Sequence, residues 1–389
     1  MTGRRLLFVT HRYVGLTAAL FLLIAAVTGC LLVFRADLDA LLNPGLFSVP
    51  SRSVLPAPEL VQRVQQAHPD WQVLGFDLRT QPGHSLRIDV TPLHAKNAAG
   101  IIDGADQLFV DPADARVVGM RTSVAGIHAP NLLQAIYTLH YTLLAGTAGR
   151  WLMGLVALAW LVLNALGVCV TWPRRRPWLG NWRPAWTSNR RALANRPMPE
   201  LHRIGGLWLL LPLTVLAYTS VAMNFYDELF RPLVETLSPP RPSPFDRPSA
   251  PSPAGGLIGF EAAEQAAINA ASRQTPDLSP VAISNDAAHG FYEVAFAPGG
   301  TRLYEGFGRV TYSVDRHSGR VVWVDQPRLD GPGRLVLRSL YPLHSGQVFG
   351  LPSRLLVLLL GLVTAGLAVT GVLPWWRRRQ RRTRQPQNG

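Results

Sequence analysis

Four unbroken apolar runs punctuate the chain, at residues 14–34, 151–172, 207–225 and 355–376. Each has about the 20 residues that a helix needs to cross the hydrocarbon of a bilayer, so the pattern predicts four membrane-spanning helices. Between the first and second runs the pattern changes. Residues 58–68 place Leu60, Val61, Val64 and Ala67 at helical spacing. Residues 72–78 and 85–91 alternate as half-buried strands do, and Leu108-Phe109-Val110-Asp111-Pro112 adds a hairpin candidate. The region between the third and fourth runs has the same order: a Pro/Ser-rich linker at 238–253, a helix at 260–272, strands near 281–284 and 292–297, and a last pair around 309–324.

The order recurs because the sequence does. YTLHYTLLAGTAGR at 137–150 returns as YPLHSGQVFGLPSR at 341–354, so that Tyr137, Leu139, His140, Gly146 and Arg150 match Tyr341, Leu343, His344, Gly350 and Arg354 at a constant offset of 204. VDPADARVV at 110–118 and VDRHSGRVV at 314–322 share that offset. His11-Arg12-Tyr13-Val14-Gly15-Leu16 has its counterpart in His202-Arg203-Ile204-Gly205-Gly206-Leu207 at an offset of 191, a difference that an insertion between the first helix and the external domain produces. The chain therefore reads as a duplicated unit of helix, small α+β domain and helix. Two parallel copies imply a pseudo-twofold axis along the membrane normal, which sets His11 opposite His202 and His140 opposite His344.

Charge orients this arrangement. The chain has 389 residues, 48% hydrophobic and 16% charged, with a formal net charge of +14. Seventeen arginines, against the single acid Glu200, lie in the three short segments that flank the helices. Positive residues in short loops stay in the cytoplasm, so both termini and the middle loop are expected there. Topology accounts for the basicity, and no nucleic-acid partner is expected. The expected organisation is a first transmembrane helix at 1–34, an external domain at 35–128, a second helix at 129–176 and a cytoplasmic basic loop at 177–200. A third helix at 201–230, an external linker and domain at 231–340, a fourth helix at 341–379 and a cytoplasmic tail at 380–389 complete it.

The two cysteines, Cys30 and Cys169, fall near opposite faces of the membrane, so no disulfide is expected, and no Cys-x-x-Cys-His for covalent haem attachment is present. Val27-Thr28-Gly29-Cys30 has the composition of a lipoprotein cleavage box, but the repeat requires the first helix to be kept.

A strongly polar side chain in a membrane helix is a functional hypothesis by default; the plain alternative is an interfacial imidazole wetted by headgroups, which two symmetric pairs make the poorer account. Two imidazoles facing across a helical bundle suit a metal with two axial nitrogens, as in a haem with both axial sites closed. His11, His202, His140 and His344 are the expected axial ligands of two haems. Gly15, Gly205, Gly206, Gly146, Gly149 and Gly350 would admit a macrocycle edge, and Arg12, Arg203, Arg150 and Arg354 would hold propionates. Zinc fits less well, because each pair offers only two histidines and acids are missing from the helices. His128, whose repeat position is Pro332, is an alternate ligand. His68, His84, His94, His289 and His317 lack repeat mates and read as surface residues.

The HRYVGL and HRIGGL starts, the LHYTLLAGTAGR and LHSGQVFG segments, the Thr-Gly-x-x-x-Trp-Trp-Arg ending at 370–377 and the two VD-turn motifs resemble the PepSY-associated transmembrane family, within it the inner-membrane ferric-siderophore reductases. The resemblance implies a mainly α membrane protein: a four-helix bundle with two small α+β PepSY-like periplasmic domains and b-type haem. It further implies a reductase of the bacterial inner membrane that carries electrons from a cytoplasmic or membrane donor to Fe(III) in a periplasmic siderophore. Such chelates release iron on reduction, because hard oxygen ligands hold Fe(III) far better than Fe(II). The competing expectation is a non-enzymatic anchor or regulator whose external domains bind a protease or a cell-wall partner.

Overall fold

The computed structural model describes residues 3–50, 53–92, 106–123, 126, 128–246, 256–299, 305–327, 329 and 331–384. His94 and residues 247–253 of the expected linker lie outside the described residues. In chain order the first half runs α1 (Gly3–Leu32), α2 (Arg35–Leu42), α3 (Pro44–Phe47), α4 (Ala57–Ala67), β1 (Trp71–Asp77), β2 (Leu86–Pro92), β3 (Gln107–Val110), β4 (Val117–Arg121), α5 (Leu132–Thr142) and α6 (Gly146–Thr171). Then follow α7 (Trp178–Trp182), α8 (Arg190–Asn195), α9 (Pro197–Trp208), α10 (Leu210–Asn224) and α11 (Arg231–Leu237). The second half closes with α12 (Phe260–Gln274), β5 (Leu278–Asp286), β6 (Phe291–Pro298), β7 (Val310–Asp315), β8 (Val321–Asp325), α13 (Gly331–Ser345) and α14 (Leu351–Arg384). These elements sort into two compact units, one of Met1–Phe34, Ile136–Pro232 and Leu340–Gly389, the other of Arg35–Ala135 and Leu233–Ser339.

In the first unit α1, α6 and α14 are each long and apolar enough to cross a membrane. The third expected span differs from its three counterparts: α9 and α10 qualify together but meet at a bend of 75°, so the described residues hold three spans, or four if the bent pair is one. Proline explains the break. Pro212 has no N–H to return to the carbonyl of Trp208, one turn back, and its ring crowds that turn; the chain leaves helical geometry at Leu209, with φ −104° and ψ 16°.

α1 packs on α6 and α14, α10 on α6, and α14 on α9. Small apolar cores form at these crossings: Ala18, Val156 and Leu163 in one, Leu213, Leu216 and Leu360 with Leu209 and Leu367 in another. Val156 and Leu163 are the repeat mates of Leu360 and Leu367, so the two cores are built from equivalent positions. Leu20, Leu155, Leu211 and Leu362 stay exposed, as a lipid-facing surface requires.

Two arginines lock the helix ends. Arg354, only 7% exposed, donates Nε and Nη2 to the carbonyl of Val33 at 3.1 and 3.0 Å and lies over the Phe34 ring. Its mate Arg150 donates to the carbonyl of Asn224 and pairs with Glu228. Val33 and Asn224 are themselves equivalent at the offset of 191. Carbonyls at a helix C-terminus have no partner within the helix, and these guanidinium groups supply one. Around the basic loop, Trp172, Trp182, Trp186 and Trp208 touch in sequence, the first pair tilted and the next two edge-on, at centroid spacings of 4.7, 5.1 and 5.8 Å. Arg203 donates to the carbonyls of Pro184, Ala185 and Thr187, which seats the loop on α9.

The second unit is one antiparallel sheet of eight strands, ordered β4-β3-β2-β1-β5-β6-β7-β8. The sequence led us to expect two separate small domains; instead β1 and β5 pair, Gly75 with Ser284, Phe76 with Ile283 and Asp77 with Ala282. An unpaired edge strand invites pairing, and here each repeat closes its edge with the other's. One core follows. Leu60 and Val61 of α4, Ala263 and Ala267 of α12, and Ile88, Ile283, Val294 and Tyr312 of the sheet share a single buried cluster, with Phe76 and Phe260 in edge contact at 5.1 Å. Alternation places Asp77, Asp89 and Glu293 on the opposite face, where burial pushes all three carboxyls up against the pull of Arg87 on Asp77 and Asp89 and of Arg309 on Glu293. The two VD motifs make the same turn, Asp111 N–H to Arg116 and Asp315 N–H to Arg320 each at 2.9 Å.

Candidate functional site

The chemistry-bearing side chains of the first unit form two pairs. His11 of α1 and His202 of α9 lie with ring centroids 6.2 Å apart and planes at 86°. His140 of α5 and His344 of α13 lie 6.1 Å apart at 59°. A metal bound between two imidazole nitrogens at about 2.0–2.1 Å from each spaces the ring centroids by roughly 6 Å. Both pairs therefore stand at a separation that one ion between the rings requires.

Hydrogen bonding selects which nitrogen is offered. Thr28 Oγ1 lies 2.6 Å from the Ile24 carbonyl, one turn back on α1, and 2.9 Å from His140 Nδ1. A hydroxyl has one proton, and the Ile24 carbonyl takes it, so the hydroxyl accepts from His140 Nδ1–H. Thr219 repeats this on α10, donating to the Val215 carbonyl at 2.9 Å and accepting from His344 Nδ1–H at 3.1 Å. His202 Nδ1 stands 3.0 Å from the Leu367 carbonyl, which only accepts, and 3.3 Å from Thr370 Oγ1. All three rings thus carry their proton on Nδ1 and keep the Nε2 lone pair for a ligand, the arrangement that second-sphere partners impose on metal-binding histidines. On the fourth ring the buried His11 Nδ1 makes no hydrogen bond. An orphaned ring nitrogen inside a membrane unit is the kind of polar group that a bound cofactor, by reorienting the ring, puts to use.

Glycine admits the rings at two places. A Cβ at Gly29 would stand 3.1 Å from His140 Cε1, and one at Gly371 would stand 3.3 Å from His202 Cε1. The expected glycines behave differently. Gly146 and Gly350 adopt φ +56° and +63°, so they serve the turns into α6 and α14.

The expected arginines divide in a similar way. Arg150 and Arg354 hold helix-terminal carbonyls and Arg203 holds the basic loop, as described above; Arg12 is exposed beside the Tyr13 ring. His128 is exposed just ahead of α5 and joins neither pair. Among the described residues no three His, Cys, Asp or Glu groups gather as a metal site, which leaves two-nitrogen ligation as the chemistry the histidines offer.

Thr28, Thr219, Thr370, Gly29 and Gly371 are absent from a reading based on histidines and arginines alone. The offset of 191 that matches His11 to His202 also matches Thr28 to Thr219, and that signal was present in the chain. A family model described as "PepSY-associated TM region" matches residues 8–378. No curated protein matches the chain.

Proposed function

Because the chain belongs to the PepSY-associated TM family, we propose that it is a dihaem reductase of the bacterial inner membrane, with four spans in a bundle and both termini cytoplasmic. Its sheet unit corresponds to two PepSY-like periplasmic domains. His11 and His202 would hold one b-type haem on the cytoplasmic side, and His140 and His344 the other on the periplasmic side. Bound haem supplies one-electron transfer, while the protein sets its potential and position. The observation that carries this reading is the pair of centroid separations, 6.2 and 6.1 Å, at symmetry-related places in one unit.

The residues then have separate tasks. The four histidines bind, and Thr28, Thr219 and the Leu367 carbonyl fix the protons on Nδ1. Arg354 and Arg150 keep the ends of α1 and α10 in place, Arg203 is taken up by the basic loop, and Arg12 stands exposed at the cytoplasmic edge, where a propionate would meet it. With haem held by His11 and His202, a cytoplasmic or membrane-borne one-electron donor would supply the electron on the inner side. Fe(III) in a periplasmic siderophore is the acceptor, and it leaves its hard oxygen ligands once reduced.

The test uses the haem-loaded full chain in detergent, reduced without oxygen, freed of excess reductant and mixed with a ferric trihydroxamate. We expect the reduced haem bands to decay while an Fe(II) chelator reports one ferrous ion for each haem oxidised. Bands that persist, with haem present and the chelate in excess, would remove ferric reduction from the proposal.

A further inference from the structure

The chain between α6 and α9 is a folded surface of one charge. Residues 173–196 contain seven arginines and no acid, and all seven are exposed. The acid nearest in sequence, Glu200, is already held by Arg203 and Ser188. Pro173 sets the fold. The residue before a proline is driven to extended geometry, so Trp172 takes φ −61° and ψ 134° and α6 stops there. The repeat position of Pro173 is Arg377, where α14 runs on to Arg384. The same run of Trp and Arg therefore continues as a helix in the second half and turns back in the first.

Tryptophans fix where it turns back to. Trp182 Nε1 donates to Thr171 Oγ1, on the last residue of α6, at 3.3 Å, and the Trp186 carbonyl accepts from Trp208 Nε1 at 2.8 Å. Trp208 lies within the apolar run at 207–225 and is itself exposed, as a lipid-facing side chain is. The loop is thus held against the ends of the spans, at the depth of lipid headgroups. Its apolar residues agree with that depth. Trp178 and Leu179 are exposed beside Arg176, whose guanidinium lies over the Trp178 ring at 4.7 Å. Side chains of this kind are poorly placed in water and well placed in the membrane interface, where tryptophan concentrates and arginine meets headgroups.

We infer that this loop is a binding surface for the phosphates of anionic lipids. A guanidinium fork takes two phosphate oxygens at once, and basic segments next to a span are drawn to acidic headgroups. A soluble acidic protein would meet the same charge, but it would not account for Trp178 and Leu179 standing exposed at the depth of the helix ends. The inference is independent of haem.

The experiment places the full chain in phosphatidylcholine nanodiscs that carry equal amounts of either brominated phosphatidylglycerol or brominated phosphatidylcholine, and reads the quenching of tryptophan fluorescence. The part of the signal that Trp178→Phe removes should be quenched several-fold more by the anionic lipid, and this preference should shrink as salt is raised. Arg174→Gln, Arg175→Gln, Arg190→Gln and Arg191→Gln together should bring the two lipids level. Lysine at the same four positions keeps the charge and should keep most of the preference. If the glutamine chain does not fold, the salt series on the wild type decides, and a preference unmoved by salt overturns the inference. A preference that survives the four glutamines overturns it as well. Equal quenching by both lipids in the wild type overturns it and leaves the face to an acidic protein. A preference abolished by inorganic phosphate at constant ionic strength overturns it in favour of a site for free anions.

Discussion

His140→Ala and His344→Ala should each cost the chain the same one of the two proposed haems, and His11→Ala and His202→Ala the other. The expectation follows from geometry, because each ring faces a partner ring at 6.1 or 6.2 Å and a six-coordinate haem would take both. Part of the population would keep a haem on the remaining ring as a five-coordinate species, so spectral change is measured together with content. His128→Ala should leave both haems and their spectra unchanged, since that side chain is exposed and outside both pairs. A His128→Ala chain with an altered spectrum, beside an unaltered His140→Ala chain, would show that the repeat had misassigned the ligand.

Arg354→Ala should be clearly more destabilising than Arg150→Ala. Both guanidinium groups hold a helix-terminal carbonyl. Arg354 is 7% exposed and gives two donors to Val33; without it that carbonyl is left buried and unpaired, at a cost of about 1–3 kcal/mol. The side chain of Arg150 is 26% exposed, so water can replace part of what is lost with it. Arg354→Lys should rescue incompletely, because one ammonium cannot reproduce the fork that delivers Nε and Nη2 to a single oxygen. Thermal midpoints of the detergent-solubilised chain decide this, and equal losses for Arg150→Ala and Arg354→Ala would contradict the clamp.

Much of this was legible in the chain before its structure. The offset of 204 that aligns Tyr137–Arg150 with Tyr341–Arg354 correctly matched Arg150 to Arg354, and the alternation around residues 72–78 and 292–297 marked β1 and β6. Other features depend on long-range pairing, which no local pattern encodes. Nothing within residues 72–78 indicates that Gly75 pairs with Ser284 and merges two domains into one sheet. Pro212 did announce the break at Leu209, but in an apolar run its missing N–H is easily read over. Thr28 and Thr219 look like ordinary helix positions, because a threonine bonded to the carbonyl one turn back is common; only the approach of His140 and His344 gives them a further role. Arg150 and Arg354 carry the opposite lesson. Their place at the membrane edge suggested a cofactor, and their guanidinium groups are on peptide carbonyls.

The absorption spectrum of the purified full chain from haem-replete cells tests most directly whether the two histidine pairs bind haem. The expected result is a Soret band with six-coordinate, low-spin b-type features in both oxidation states, and two haems per chain by pyridine haemochromogen assay. A folded, monodisperse chain that is colourless would contradict the claim and leave the membrane-anchor reading in its place.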